Sequence, residues 1–358
     1  MSVSVQFYLT LLLVYVGVNL IACWGLNLQM GVAGILNFGF VLFQAAGAYA
    51  YALFTLGPVS GGAGLNAGYQ VYLWGTQLPF PIPFLAAIAA GGLLAALVGV
   101  VVLPRLRGDY QAVALLVVSL IGGGIVLNNI SLLNGASGLS GIPKPLAGVT
   151  GLSGIGYSWF YVALTALICL MVWYVVHQIG VSPFGRTLRA IRESEAAARS
   201  LGKDVKRKRL TAFIVGGALG GLSGAVLVGF INAWAPASWG YQETFVFVTV
   251  IIIGGFGSNL GVAVGVILVP IIFGELPTFL PQLGQASWLG AIQLILYGAL
   301  TLGFLWFRPR GIVPEKRISY SRSDLVGRGR QVEANEMLAV VLAGEEGVPR
   351  HDGDVSGQ

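Results

Sequence analysis

No Asp, Glu, Lys or Arg occurs before Arg105. So long an uncharged stretch cannot form an ordinary soluble domain, in which roughly a quarter of the residues are charged. The pattern continues downstream: the 358-residue chain is 56% hydrophobic and only 9% charged. Uncharged apolar runs recur at Phe7–Cys23, Met30–Leu56, Pro83–Leu103, Tyr110–Leu133, Trp159–Val176, Thr211–Ile231 and Ala286–Phe307. Each is about long enough to cross some 30 Å of hydrocarbon as a helix. Backbone groups in lipid must bond within a helix or a closed barrel, and these runs have helical length instead of the alternating ten-residue pattern of barrel strands. The sequence therefore predicts an all-α polytopic membrane protein with about 8–10 transmembrane segments, some broken or re-entrant.

The N-terminus carries neither the basic region nor the small-residue cleavage site of a removable leader, so Phe7–Cys23 is expected to be the first retained span. Cys23 and Cys169 both lie in apolar runs and show no metal-ligand spacing, which makes them packing residues. The net charge of +6 reports membrane orientation and not nucleic-acid binding. Basic residues cluster at Arg105 and Arg107, then as nine Lys/Arg from Arg186 to Arg209, then at Arg308 and Arg310. The positive-inside rule puts all three clusters in the cytoplasm. Two spans separate the first two clusters, which leaves the loop Asn134–Tyr157 outside, with Lys144 as its single charge. The first 104 residues offer three or four crossings, so the side of the N-terminus stays open.

Within the spans, Gly217, Gly220, Gly221 and Gly224, and likewise Gly257, Gly261 and Gly265, recur at steps that let helix backbones approach closely. Two runs are interrupted. Met30–Leu56 carries Gly31, Gly34 and Gly39, and Phe245–Phe273 carries Gly254, Gly255, Gly257 and Gly261 in "GGFGSNLG". The second run is either two short spans or one broken, re-entrant pair; broken segments near mid-membrane free backbone groups for a solute, so both runs are candidate solute sites. Asn27, Asn37, Gln44, Asn128 and Asn129 place amides at or near membrane depth; they either bond between helices or line a solute path. Glu243, Glu275 and His177 fall at the ends of runs, at interfacial positions. So few intramembrane ionisable groups argue against a proton- or sodium-coupled carrier. No HExxH and no GxxxxGK[ST] is present, so the chain has neither a zincin site nor an ATPase site of its own.

The densest charge lies in "RAIRESEAAARSLG", Arg189–Gly202. Ser182-Pro183 reads as a helix start, with serine as N-cap and proline at the first helical position. Gly202 reads as its left-handed stop. One continuous helix between them would align Phe184, Leu188, Ile191, Ala198 and Leu201 as an apolar stripe. Glu195 would project into that stripe, with Arg192 and Arg199 in reach of it. A carboxylate there suits docking into a protein groove, beside the small pair Ala196-Ala197; an ordinary interfacial helix is the alternative.

This stretch, which also holds Arg189 and Glu193, resembles the EAA motif of ABC importer permeases, the cytoplasmic helix that meets the ATPase. "GVAGILNFGFVLFQAAGAY", "NGASGLSGIPKP", "GGFGSNLGVAVG" and "FRPRGIVP" resemble branched-chain amino-acid permeases of the LivM type, in consistent order over residues 10 to 314. Phe40 departs from the His or Gln, and Val262 from the Pro, that relatives often carry there. The resemblance implies an ABC importer permease fold in residues 1–314, with a coupling segment at 182–209 and a polar cytoplasmic tail at 315–358. It implies a bacterial or archaeal plasma membrane, a second, LivH-type permease, two cytoplasmic ATPases that use ATP and magnesium, and an external solute-binding protein. No cofactor is expected on this chain. Branched-chain amino acids are the implied solutes, with urea or short amides as the alternative within the family and a stand-alone channel or secondary carrier outside it.

Overall fold

The computed structural model describes residues 3–58, 70–273, 287–308 and 310–315. The expected tail and Glu275 lie outside the described residues, apart from Glu315, which packs with the membrane body. Thirteen α-helices occur among the described residues: α1 (Val3–Asn27), α2 (Val41–Thr55), α3 (Ile82–Val102), α4 (Gly108–Asn128), α5 (Ile130–Leu133), α6 (Ala147–Thr150), α7 (Gly154–Val181), α8 (Pro183–Glu193), α9 (Glu195–Ser200), α10 (Val205–Ile231), α11 (Tyr241–Gly254), α12 (Asn259–Val266) and α13 (Ser287–Phe307). Five segments are long and apolar enough to cross a membrane alone: Val5–Val32, Ile82–Val102, Gly108–Asn128, Gly154–Val181 and Val205–Ile231. Four further helices, α2, α11, α12 and α13, complete the fold, giving nine helical passes among the described residues, within the expected range.

The short helices are short because the chain is broken beside them. After Asn27, α1 widens into a π-turn, Leu28–Val32, in which the Ala33 N–H reaches back five residues to the Leu28 carbonyl (3.1 Å). Gly34 then turns at φ +66°, a conformation that glycine adopts without steric cost. The 15-residue α2 spans only about 22 Å, and the irregular stretch before it supplies the remaining depth. Beyond α12 the chain widens again over Ile267–Phe273, where Pro270 lacks the N–H that a regular helix needs.

α10 is the axis of the bundle. Two of its glycines, Gly221 and Gly224, meet backbone of the neighbouring helices. A Cβ on Gly221 would lie 2.3 Å from the Ala87 carbonyl oxygen of α3, and one on Gly224 would lie 2.1 Å from the Gln44 carbonyl oxygen of α2. Only a missing side chain permits that approach. Phe40, Phe43 and Phe213 fill the adjoining space with edge-to-face rings. Cys23 and Cys169 are both buried free thiols. α4 and α7 show most of their surface outward.

Two sets of contacts fix the ends. At one end, the Arg192 guanidinium bonds the Gly31 carbonyl after α1. The Ile312 and Val313 N–H groups bond the Ile253 and Gly254 carbonyls at the end of α11 (2.8 and 3.0 Å). Arg209 at the start of α10 bonds Gln111 near the start of α4 (2.9 Å). All three basic clusters gather here, which makes this the cytoplasmic end. At the other end, β1 (Leu139–Ser140) pairs antiparallel with β2 (Ala233–Trp234), and the Asn232 side chain bonds the Ile142 carbonyl (2.9 Å). With the basic clusters inside, α1 runs inward from an outer N-terminus. The "GGFGSNLG" stretch is the turn from α11 to α12 at this end, so Phe245–Phe273 forms two short spans and not a broken, re-entrant pair near mid-membrane. Gly255 and Gly257 take φ of +120° and +75° to make that turn.

Candidate coupling site and solute path

Ser182 caps α8 through a bond from the Gly185 N–H, with Pro183 at the first helical position. The single helix expected over Ser182–Gly202 is in fact two. Ser194 is extended (φ −153°, ψ 104°) and its hydroxyl accepts the Ala197 N–H, capping α9. Serine competes with the backbone for such bonds, so the chain breaks where Ser194 offers a new cap. Gly202 adopts φ +70° after α9, and a side chain there would meet open space.

The break redirects the charges. Arg192 does not pair with Glu195. It bonds Glu315 (2.7 Å), and Arg189 holds the other Glu315 oxygen. Glu315 thus joins α8 to the segment that follows α13, and it also lies against Gly257 in the α11–α12 turn. Arg189 further donates to the Gly180 carbonyl (2.9 Å) at the end of α7. These three side chains are mostly shielded from solvent, where charge-assisted bonds are worth about 1.5–3 kcal/mol each. The sequence reading passed over Glu315. Its signal was an acid directly after the basic "FRPRGIVP" run.

Glu195 is the first residue of α9 and turns back onto its own chain. It pairs with Arg199 one turn on (2.5 Å) and with Arg209 of α10 (3.5 Å). The seam beneath it is Leu188, Ile191, Ala198 and Val205, all buried. Leu201, expected in that seam, is 76% exposed. Glu193, Ala196, Ala197, Arg199 and Gly202 are also exposed. The small residues and Leu201 therefore face away from the chain, while the half-exposed glutamate lies along its surface between Arg199 and Arg209.

The five amides divide into two sets. Asn27, Asn37 and Gln44 are buried. The Asn37 amide donates to the Gln29 side-chain carbonyl (2.7 Å) and accepts the Gly39 N–H (3.0 Å), and Gln29 donates to the Phe213 carbonyl (2.8 Å). Asn27 accepts the Gly257 N–H (3.0 Å). The Asn37 bond holds the irregular backbone before α2, Gln29 ties that stretch to α10 and Asn27 ties the end of α1 to the α11–α12 turn, while the buried Asn27 amide nitrogen has no partner among the described residues. Gln29 is a further member of this network, overlooked in the sequence because it precedes the glycine run. Gln44 makes no side-chain hydrogen bond among the described residues and has an amide to spare. Asn128 and Asn129 do not join the set; both are exposed at the outer end of α4. Gly31 and Gly34 pack against Asn27 and Arg192 at the cytoplasmic end, whereas Gly39 packs on α4, where a Cβ would lie 2.1 Å from the Leu115 carbonyl oxygen. Phe40 is fully buried between Phe43 and Phe247. At the outer end a cavity of about 380 Å³ is lined by Tyr51, Phe84, proline-rich loop residues and Lys144, whose ammonium lies 5.1 Å from the Tyr157 ring.

The fold is a helical bundle of membrane-spanning length with a capped, charged segment at one end and an irregular stretch between its first two helices. Residues 8–305 match the family model described as branched-chain amino acid transport system / permease component, and the chain belongs to that family of ABC importer permease subunits. It is 32% identical over 343 residues to the high-affinity branched-chain amino acid transport system permease protein LivM of Escherichia coli, covering 90% of this chain and 73% of that protein. It is 29% identical to the probable branched-chain amino acid transport permease protein LivM of Methanocaldococcus jannaschii, covering 87% and 94%. More distantly, it is 27% identical to the ribose import permease protein RbsC of Escherichia coli, covering 63% and 68%. No solved structure matches the chain.

Proposed function

We propose that this chain carries branched-chain amino acids inward as one permease of a binding-protein-dependent ABC importer. Its partners in this reading are a LivH-type permease, two cytoplasmic ATPases and an external solute-binding protein. The observation that carries the reading is the α8–α9 segment, which displays Ala196, Ala197 and Leu201 outward. An exposed leucine beside two alanines is a surface on which a partner can close. Glu195 acts here as a positioning residue, holding α9 to α10 through Arg209. Arg189, Arg192 and Glu315 pass motion of α8 to the ends of α1, α7 and α11.

Leucine-like solutes are favoured over urea by relatives across 87–90% of the chain that are named for branched-chain amino acids. The ribose permease shows that more distant relatives serve other solutes, so the solute is tested directly. With the cognate binding protein and both ATPases in proteoliposomes, labelled leucine should accumulate, and excess isoleucine or valine should abolish the uptake. Competition by urea or acetamide at the same concentration, with none by isoleucine, would reassign the substrate.

A further inference from the structure

A second cavity, of about 670 Å³, opens at the cytoplasmic end between the α3–α4 loop and the α9–α10 junction. Six cationic side chains line it: Arg105, Arg107, Arg199, Lys206, Arg207 and Arg209. Among the described residues only two carboxylates do, Glu195 and Asp204, and both are engaged. Glu195 holds Arg199 and Arg209, while Asp204 caps α10 by accepting the Arg207 N–H (3.0 Å). Among the described residues no carboxylate pairs with the side chains of Arg105, Arg107, Lys206 or Arg207. Gln111 bonds the Leu103 and Leu106 carbonyls (3.0 and 2.7 Å) and accepts from Arg209, so the wall behind the cations is fixed. The Nε of Arg209 is buried without a partner. Two helix N-termini, those of α4 and α10, also open here and add partial positive charge.

The membrane side of the cavity is apolar. Val100 and Leu103 form its upper edge, and Leu93, Leu97, Val100 and Val101 continue up α3 as exposed side chains (66%, 69%, 57% and 53%). A cationic pocket at the bilayer boundary, with an open hydrocarbon track above it, matches the two ends of a phospholipid. We propose that this cavity binds the phosphate of an anionic phospholipid headgroup, with an acyl chain lying along α3. Bound there, the phosphate sits beside Arg199 and Arg209, the two cations that hold Glu195. The site follows from the charge and shape of this chain alone and does not require that α9 meet an ATPase.

Native mass spectrometry of the purified full chain, titrated with dioleoylphosphatidylglycerol or dioleoylphosphatidylcholine, tests this. The anionic lipid should bind at least about tenfold more tightly. Arg105→Gln with Arg107→Gln should remove at least about fivefold of that preference, and Lys206→Gln with Arg207→Gln, on the opposite wall, should do the same. Because the loop arginines also anchor topology, Arg105→Lys with Arg107→Lys serves as the folded control and should keep the preference. Inorganic phosphate at millimolar concentration separates the sources. Failure to displace the lipid supports a membrane ligand, whereas full displacement overturns the lipid assignment in favour of a soluble phosphate. Equal binding of the two lipids, or an unchanged preference in both glutamine pairs, overturns the site.

Discussion

Glu315 is bound by two guanidiniums and shielded from water, so its loss leaves two partly buried cations without their anion. Glu315→Gln should lower the stability of the membrane body by about 1–3 kcal/mol, read as an earlier thermal unfolding transition in detergent. If the clamp transmits motion, ATP-driven uptake should fall by more than ATPase assembly does. Glu195 behaves differently because its pair with Arg199 is exposed on both sides and is worth only about 0.3–0.5 kcal/mol. Glu195→Ala also takes the carboxylate from the shielded Arg209, which keeps its bond to Gln111, so the unfolding transition should shift less than in Glu315→Gln, while substrate-stimulated hydrolysis in the assembled complex drops severalfold. Undiminished hydrolysis would show that α9 needs no such tether. The contrast was only half legible in the sequence. Spacing put Arg199 in reach of Glu195, but it also put Arg192 there. Nothing local could reveal that a carboxylate 123 positions away takes Arg192 instead.

Among the elements, α10 is stiffened by close backbone contact and α8–α9 is divided by a serine cap. Gly221→Ala would force a methyl group to 2.3 Å from the Ala87 carbonyl oxygen, and such overpacking costs about 1–3 kcal/mol. Gly124→Ala on α4 meets nothing within 4 Å and should be neutral or stabilising by roughly 0.5–1 kcal/mol. Thermal unfolding of the two variants side by side checks the packing; equal shifts would mean that α10 is not closely packed. Ser194→Ala should remove the α9 cap at a cost of about 0.5–2 kcal/mol, with faster amide exchange confined to Glu195–Ser200. The helices themselves were legible because uncharged length is a signal that needs no tertiary context. The break at Ser194 was not legible, since an apolar period continued across it, and the serine cap that ends the period shows only in the fold. The glycines of "GGFGSNLG" announced an interruption, but its depth depended on where Ile312 and Val313 return to pair with α11.

For the whole molecule, nine passes with an external N-terminus place α8–α9, the α11–α12 turn and Glu315 on one side of the membrane. Single cysteines should follow that sidedness. With Cys23 and Cys169 buried, Val5→Cys should react with an impermeant maleimide added outside intact cells, and Gly202→Cys only after permeabilisation. Reversed labelling would invert the topology. Charge clusters sufficed to orient the later spans, but the uncharged first 104 residues held no such marker, and the contacts of Gly31 with Arg192 and of Asn27 with Gly257 close the count. The central claim is that this chain imports solute only when ATPases drive it. It is tested most directly by labelled leucine uptake into proteoliposomes holding both permeases and both ATPases, with binding protein outside. The account predicts concentrative uptake that requires enclosed ATP and vanishes when this chain is omitted. Equal uptake without ATP, or by this chain alone, would contradict it.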